Sequence, residues 1–181
     1  ESFANQALLI AKSPLAKIKI YKVLRTYNVS TGNGVPALYK AVEILKELGV
    51  EIEAFPNQLA IIRELIKTKI TLAGKKIPSL ANMPRMENPR SLAIMEIFSL
   101  ASSPAYTASP NLLPILVFKQ VSLTAKQGIA GASAFAYMTM ALINCGVLND
   151  INNGYEFGKL GLSLLEKIPS SEFAPKTNMV Y

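Results

Sequence analysis

A chain of 181 residues is long enough to bury one substantial core and too short for two. Half of its residues are hydrophobic and 17% are charged, which excludes a disordered, solvated polypeptide. Histidine is absent and Asp150 is the only aspartate. Ser-His-Asp and Cys-His catalytic sets, His-rich zinc sites and a phosphate-accepting histidine are thereby excluded, and the formal charge is +7.

Helical periodicity dominates in chain order, and period-two alternation is nowhere sustained. The chain lacks an initiating Met and opens within an apolar helical pattern, "ESFANQALLIAK", as expected of a fragment of a larger multidomain protein. This first helix is expected to end before the turn-forming run "NVSTGNG". "VPALYKAVEILKELGV" follows as an amphipathic helix, with Leu38, Ala41, Val42, Leu45 and Leu48 on one face. Gly49 stands at its left-handed C-terminal cap. Pro56 opens a third helix whose apolar stripe is Leu59, Ile62, Ile66 and Ile70, ending at Gly74 beside Lys75-Lys76.

"IPSLANMPRMENPRS" reads as the longest irregular connection. Asn88-Pro89 then starts a helix by the cap-plus-proline signal, with Pro104 expected to kink or break it. Ser109-Pro110 repeats that signal ahead of "NLLPILVFKQVSLTAKQG". "ASAFAYMTMALINCGV" and "NDINNGYEFGKLGLSLLEK" are two further helices, and "SSEFAPKTNMVY" begins one more. The fold class is therefore all-α: about seven helices joined by short turns, as antiparallel pairs in a single domain spanning 1–181.

With Cys145 as the sole cysteine no intramolecular disulfide forms, and no signal peptide is visible, so the expected location is cytoplasmic. The sequon Asn28-Val29-Ser30 is then a chance match. Residues 127–149 carry no charge, but their Ala, Gly and Ser content suits a buried helix rather than a membrane span. No acid separates Glu1 from Glu43, and on a helix Lys12, Lys19, Lys22 and Arg25 share one arc opposite Leu15, Ile18, Tyr21 and Leu24. That arc is a candidate for electrostatic docking, although a solvated face is the simpler reading and no nucleic-acid partner is expected. Glu64 and Glu96 have no second catalytic group, so catalytic, cofactor and metal residues are expected to be none.

Gly154, Gly158 and Gly161 are spaced by four and three, with helix and turn before them rather than a strand. That is not a phosphate loop. It places all three on one helical face, where absent side chains let a neighbouring helix approach closely. Small residues at these intervals in a second helix form the tetratricopeptide pattern, here with "FAYMTMALINCGV" as the first helix. A weaker copy places Tyr21 and Leu24 in a first helix and Ala37, Ala41 and Ile44 in a second, with Arg25 where the motif prefers Gly.

"AVEILKELGV", "LIKTKITLAGKKI", "MPRMENPRSLAIMEIF" and "YMTMALINCGVLNDINNGYEFGKLGLSLLEK" together resemble the helical linker region of bacterial multi-sensor hybrid kinases, common in cyanobacteria. Those proteins combine a Ser/Thr kinase-like domain, an AAA/STAND-type ATPase, a tetratricopeptide-like region, a GAF sensor and a histidine kinase. The resemblance covers about Ala37 to Lys167 and implies a tetratricopeptide-like α-solenoid, with an irregular helical bundle as the alternative. It implies a non-catalytic scaffold contacting a protein partner or neighbouring kinase and ATPase domains, within a parent protein that is itself a kinase or ATPase. The alternative function is sensing of a small-molecule ligand enclosed by helices around Phe135, Tyr137, Met138 and Met140.

Overall fold

The computed structural model describes residues 6, 7, 10, 11 and 13–168. Lys12, the side chain of Leu15 and the expected helix in "SSEFAPKTNMVY" lie outside the described residues. The fold is all-helical: among the described residues there are seven α-helices and one 3-10 helix, and no strand. They are α1 (Pro14–Ser30), α2 (Gly34–Glu47), α3 (Gln58–Leu72), the 3-10 helix Ile77–Asn82, α4 (Pro89–Ala108), α5 (Leu112–Gln127), α6 (Ser133–Gly146) and α7 (Ile151–Lys167).

The N-terminal helical pattern is interrupted. Ser13 accepts a hydrogen bond from the Ala16 amide and Pro14 fills the first turn, so α1 starts there rather than continuing from upstream. Asn57, Asn88 and Asp150 cap α3, α4 and α7 in the same way. Ser109 closes α4 instead of opening α5, whose cap position is Asn111. At the end of α2 the Val50 amide donates to the Leu45 carbonyl, and Gly49 adopts φ 71° to permit it.

Three hairpins order the chain: α1 with α2, α4 with α5, and α6 with α7. α4 packs on α1, α2, α5 and α6, and α3 lies against α5 rather than against its sequence neighbours. One core cluster joins α1, α2 and α4 through Tyr21, Leu38, Leu45, Ile97 and Phe98. A second joins α5, α6 and α7 through Phe118, Val121, Tyr137, Phe157 and Leu160. The connection before α4 crosses the α5–α6 turn as an isolated parallel bridge, with Met86 donating to Ile129 and Ile129 to Pro84. Gly128, at φ 105°, makes that crossing feasible, because a Cβ there would collide with the Pro84 carbonyl.

Pro104 does not break the fourth helix, which runs unbroken from Pro89 to Ala108. A proline in a helix interior leaves the carbonyl four residues earlier without its donor, and here that carbonyl belongs to Leu100. Arg25 of α1 supplies the missing donor, its Nε lying 2.8 Å from the Leu100 oxygen. Two features read separately along the chain thus complete each other.

The third apolar stripe is also placed differently from expectation. Leu59, Ile62, Ile66 and Ile70 are 73%, 52%, 53% and 69% exposed. The face of α3 turned to α5 instead buries Thr68 and Glu64, flanked by the half-buried Ile61, Leu65 and Leu72. The Thr68 hydroxyl lies 3.1 Å from the Phe118 carbonyl and 2.9 Å from the Ser122 hydroxyl. Glu64 lies 3.3 Å from the Lys119 ammonium. A polar seam with a modest apolar margin seats this helix, and its strongest apolar row faces away.

Arg25→Met is expected to destabilise the fold by about 2 kcal/mol in urea denaturation, since a charged donor leaves a carbonyl unpaired. In a Pro104→Ala background, where the helix regains its own donor, the same substitution is expected to cost roughly 1 kcal/mol less. Equal costs in both backgrounds would break the assigned link.

Candidate functional site

The α6–α7 hairpin carries the small-residue face. Gly154 and Gly161 are buried against α6, and Gly158 is half-buried between them. A Cβ on Gly154 would collide with the Cys145 Sγ and sit 3.2 Å from the Ala141 carbonyl. On Gly161 it would lie 3.2 Å from the Ala134 carbonyl and 3.3 Å from the Met138 amide. On Gly158 it would meet the Ala141 Cβ at an ordinary 3.8 Å. Two of the three glycines therefore hold backbones close, whereas the middle one tolerates a methyl.

Along the outer edge of this contact runs an open, mostly apolar groove bordered by Met138, Leu142, Cys145, Ile151, Tyr155 and Leu162. The second helix of the hairpin is capped by Asp150, whose carboxylate accepts the Asn153 amide at 3.2 Å and the Asn153 side chain at 2.7 Å. Those bonds hold the Asp150 carboxyl below its ordinary pKa, with a smaller contribution from the Lys69 charge.

The basic arc is largely absorbed by contacts within the chain. Lys22 lies 2.6 Å from Glu96 of α4, and Arg25 is committed to the Leu100 carbonyl. Lys17, a neighbour of the arc, pairs with Glu47 of α2. Of the four arc residues, Lys19 is exposed on α1 and Lys12 lies outside the described residues. The cations of α1 hold α2 and α4, which a sequence without partner positions could not reveal.

Phe135, Tyr137, Met138 and Met140 are all buried. Phe135 packs with Met86, Met95, Ala130 and Ala132, while Tyr137 stacks on Phe157 at a centroid separation of 5.9 Å. Met138 alone of the four borders the open groove. Thr124 lies near the Tyr137 hydroxyl, but its own hydroxyl is 2.9 Å from Ser133, and among the described residues the Tyr137 hydroxyl has no hydrogen-bond partner. Burial pushes the Tyr137 hydroxyl well above the ordinary tyrosine pKa, with Thr124 opposing weakly, so it stays neutral across the physiological range.

A mixed-charge cleft between α3 and α5 gathers Glu51, Glu53, Arg63, Glu64, Lys67 and Lys119, which sequence spacing alone could not assemble from three segments. Among the described residues no group of three or more His, Cys, Asp or Glu side chains could hold a metal ion. Nor is any helix there long and apolar enough to cross a membrane. The uncharged segment at 127–149 contains a helix of only 14 residues, about 21 Å, after the Gly128 turn.

Gly158→Ala is expected to be neutral or to stabilise by up to ~1 kcal/mol through helix propensity. Gly154→Ala and Gly161→Ala are each expected to lose about 1–2 kcal/mol in chemical denaturation, and Cys145→Ala to recover part of the Gly154→Ala loss. A uniform response across the three sites would contradict the close-approach geometry. Tyr137→Phe removes an unpaired buried hydroxyl and is expected to leave the melting temperature unchanged or to raise it. No protein-family model, curated protein or solved structure matches this chain.

Proposed function

We propose that this chain is a non-catalytic helical scaffold, a regulatory domain of a signal-transduction kinase that mediates protein–protein or interdomain contacts. The observation that carries the reading is the packing order of the hairpins. α4 lies against both helices of the first hairpin, and α6 lies against α5 and, more lightly, α4. Contacts that pass from each hairpin to the next are those of a stacked array, which favours a tetratricopeptide-like α-solenoid over an irregular bundle. α3 is then an insertion seated on α5.

The close α6–α7 contact at Gly154 and Gly161 supports the same reading, because nesting through small residues is what the tetratricopeptide pattern does. The weaker copy falls on the α1–α2 hairpin, where Ala37, Ala41 and Ile44 are buried against Tyr21 and Leu24. In such an array the first helices of the hairpins line the partner-binding surface. Here they present Val23, Tyr27, Tyr106 and Leu142 to solvent. The resemblance to hybrid kinases supplies the setting: neighbouring kinase and ATPase domains in the cytoplasm, with this region passing signals between them.

The test is an in-frame deletion of the region in the full-length gene product, read by autophosphorylation and ATP hydrolysis. Deletion is expected to alter regulation of one activity by the other while each isolated activity persists. Unchanged coupling, or a full-length product without kinase or ATPase domains, would overturn the proposal.

A further inference from the structure

The row Leu59, Ile62, Ile66 and Ile70 on α3 is unlike the scattered exposed aliphatics elsewhere on the molecule. Its members follow one another at intervals of three and four, so they form a single continuous ridge. Together they expose on the order of 400 Å² of apolar surface, the scale at which an exposed patch marks an interaction. Among the described residues no core cluster includes this ridge, and the opposite face, with Ile61, Leu65, Thr68 and Leu72, already seats α3.

The cations of α3 border the ridge on both sides, although the Asp150 carboxylate at the start of α7 lies within electrostatic reach of Lys69. Arg63 and then Lys67 run along one edge and Lys69 along the other, and all three are exposed. Glu64, the only acid of α3, is buried on the far side with Lys119 and Lys67, at 3.3 and 3.8 Å. Glu51 and Glu53 share a cleft with Arg63, but no ion pair to Arg63 forms among the described residues. The exposed face of the helix is thus apolar along its centre and cationic at both edges.

We infer that this face docks an amphipathic helix of a separate polypeptide, one with aliphatic residues at three- and four-residue spacing flanked by Asp and Glu. The inference rests on the interaction-module reading but concerns a surface outside the stacked hairpins. α3 has 15 residues, about 22 Å, so a partner helix of three to four turns matches its length. Acidic flanks would meet Arg63, Lys67 and Lys69, giving attraction and register while the aliphatics bury the ridge. A second copy of this chain fits poorly, since it would set cations against cations. Its ridge also offers about half of the ~800 Å² per partner of a stable dimer. A membrane surface fits less well than a helix, because the ridge is narrow and carries no aromatic anchor.

The test is selection on the intact chain from a displayed library of 18-residue helices with aliphatics fixed at three- and four-residue spacing and flanks randomised between acidic, basic and neutral residues. Acid-flanked sequences are expected to enrich. The strongest synthetic binder is expected to lose at least tenfold in affinity for Ile62→Glu/Ile66→Glu, by fluorescence anisotropy. Arg63→Glu/Lys69→Glu, on exposed positions that leave the ridge intact, is expected to shift enrichment towards basic flanks. No enrichment, enrichment without flank preference, or unchanged affinity in both variants would overturn the inference. So would ridge-dependent dimerisation in sedimentation, or co-sedimentation with phosphatidylserine vesicles abolished by the ridge variant. Those outcomes leave the kinase-coupling deletion unaffected, so failure here and failure of the scaffold reading are separable.

Discussion

The hydrogen bond from Arg25 to the Leu100 carbonyl is the contact on which the arrangement of helices turns. α4 is the hub of the fold, touching α1, α2, α5 and α6, and it is buried along most of its length. A hub helix with Pro104 in its interior has an orphaned carbonyl where water cannot reach, and a buried unpaired carbonyl is costly. Bringing α1 alongside solves this locally and fixes where α1 must lie. The Lys22–Glu96 pair then reinforces the same register.

This constraint separates the two halves of the molecule by the chemistry of their contacts. The α1–α2–α4 half is pinned by cations reaching across helices, with Arg90 also donating to the Leu48 carbonyl at 2.7 Å. The α5–α6–α7 half is held by close backbone approach and aromatic stacking. Between them Gln120 reaches from α5 to α4, its amide nitrogen 2.6 Å from the Ser99 hydroxyl and 3.2 Å from the Met95 carbonyl. Its carbonyl oxygen is buried without a partner among the described residues, an asymmetry for which the structure offers no physical account.

Much of this was legible in the residues. The helix count, the caps at Asn88 and Gly49, and the buried stripe of α2 follow from local chemistry that needs no tertiary partner. The cap at Ser13-Pro14 was equally readable, since the same dipeptide logic identifies the start of α4, but the apolar run upstream obscured it. Two features were not legible. A proline in a helix interior signals a break unless another helix supplies a donor, and that donor came from 75 residues away. On α3, both faces repeat at helical spacing, Leu59-Ile62-Ile66-Ile70 outward and Ile61-Leu65-Thr68-Leu72 inward, so periodicity alone had no means of choosing the buried one. For the candidate site, the spacing of Gly154, Gly158 and Gly161 located a shared face, whereas the inequality of the three depends on atoms of α6.

The crossing of Pro84–Met86 with Ile129 has a consequence for how the chain assembles. Each hairpin brings together segments adjacent in sequence, for which loop closure is inexpensive. The crossing instead joins the two ends of the α4–α5 hairpin, and it can form only after that hairpin has turned back on itself. Gly128, with its backbone pressed against the Pro84 carbonyl, is therefore a latch whose closing records that the central hairpin is already complete.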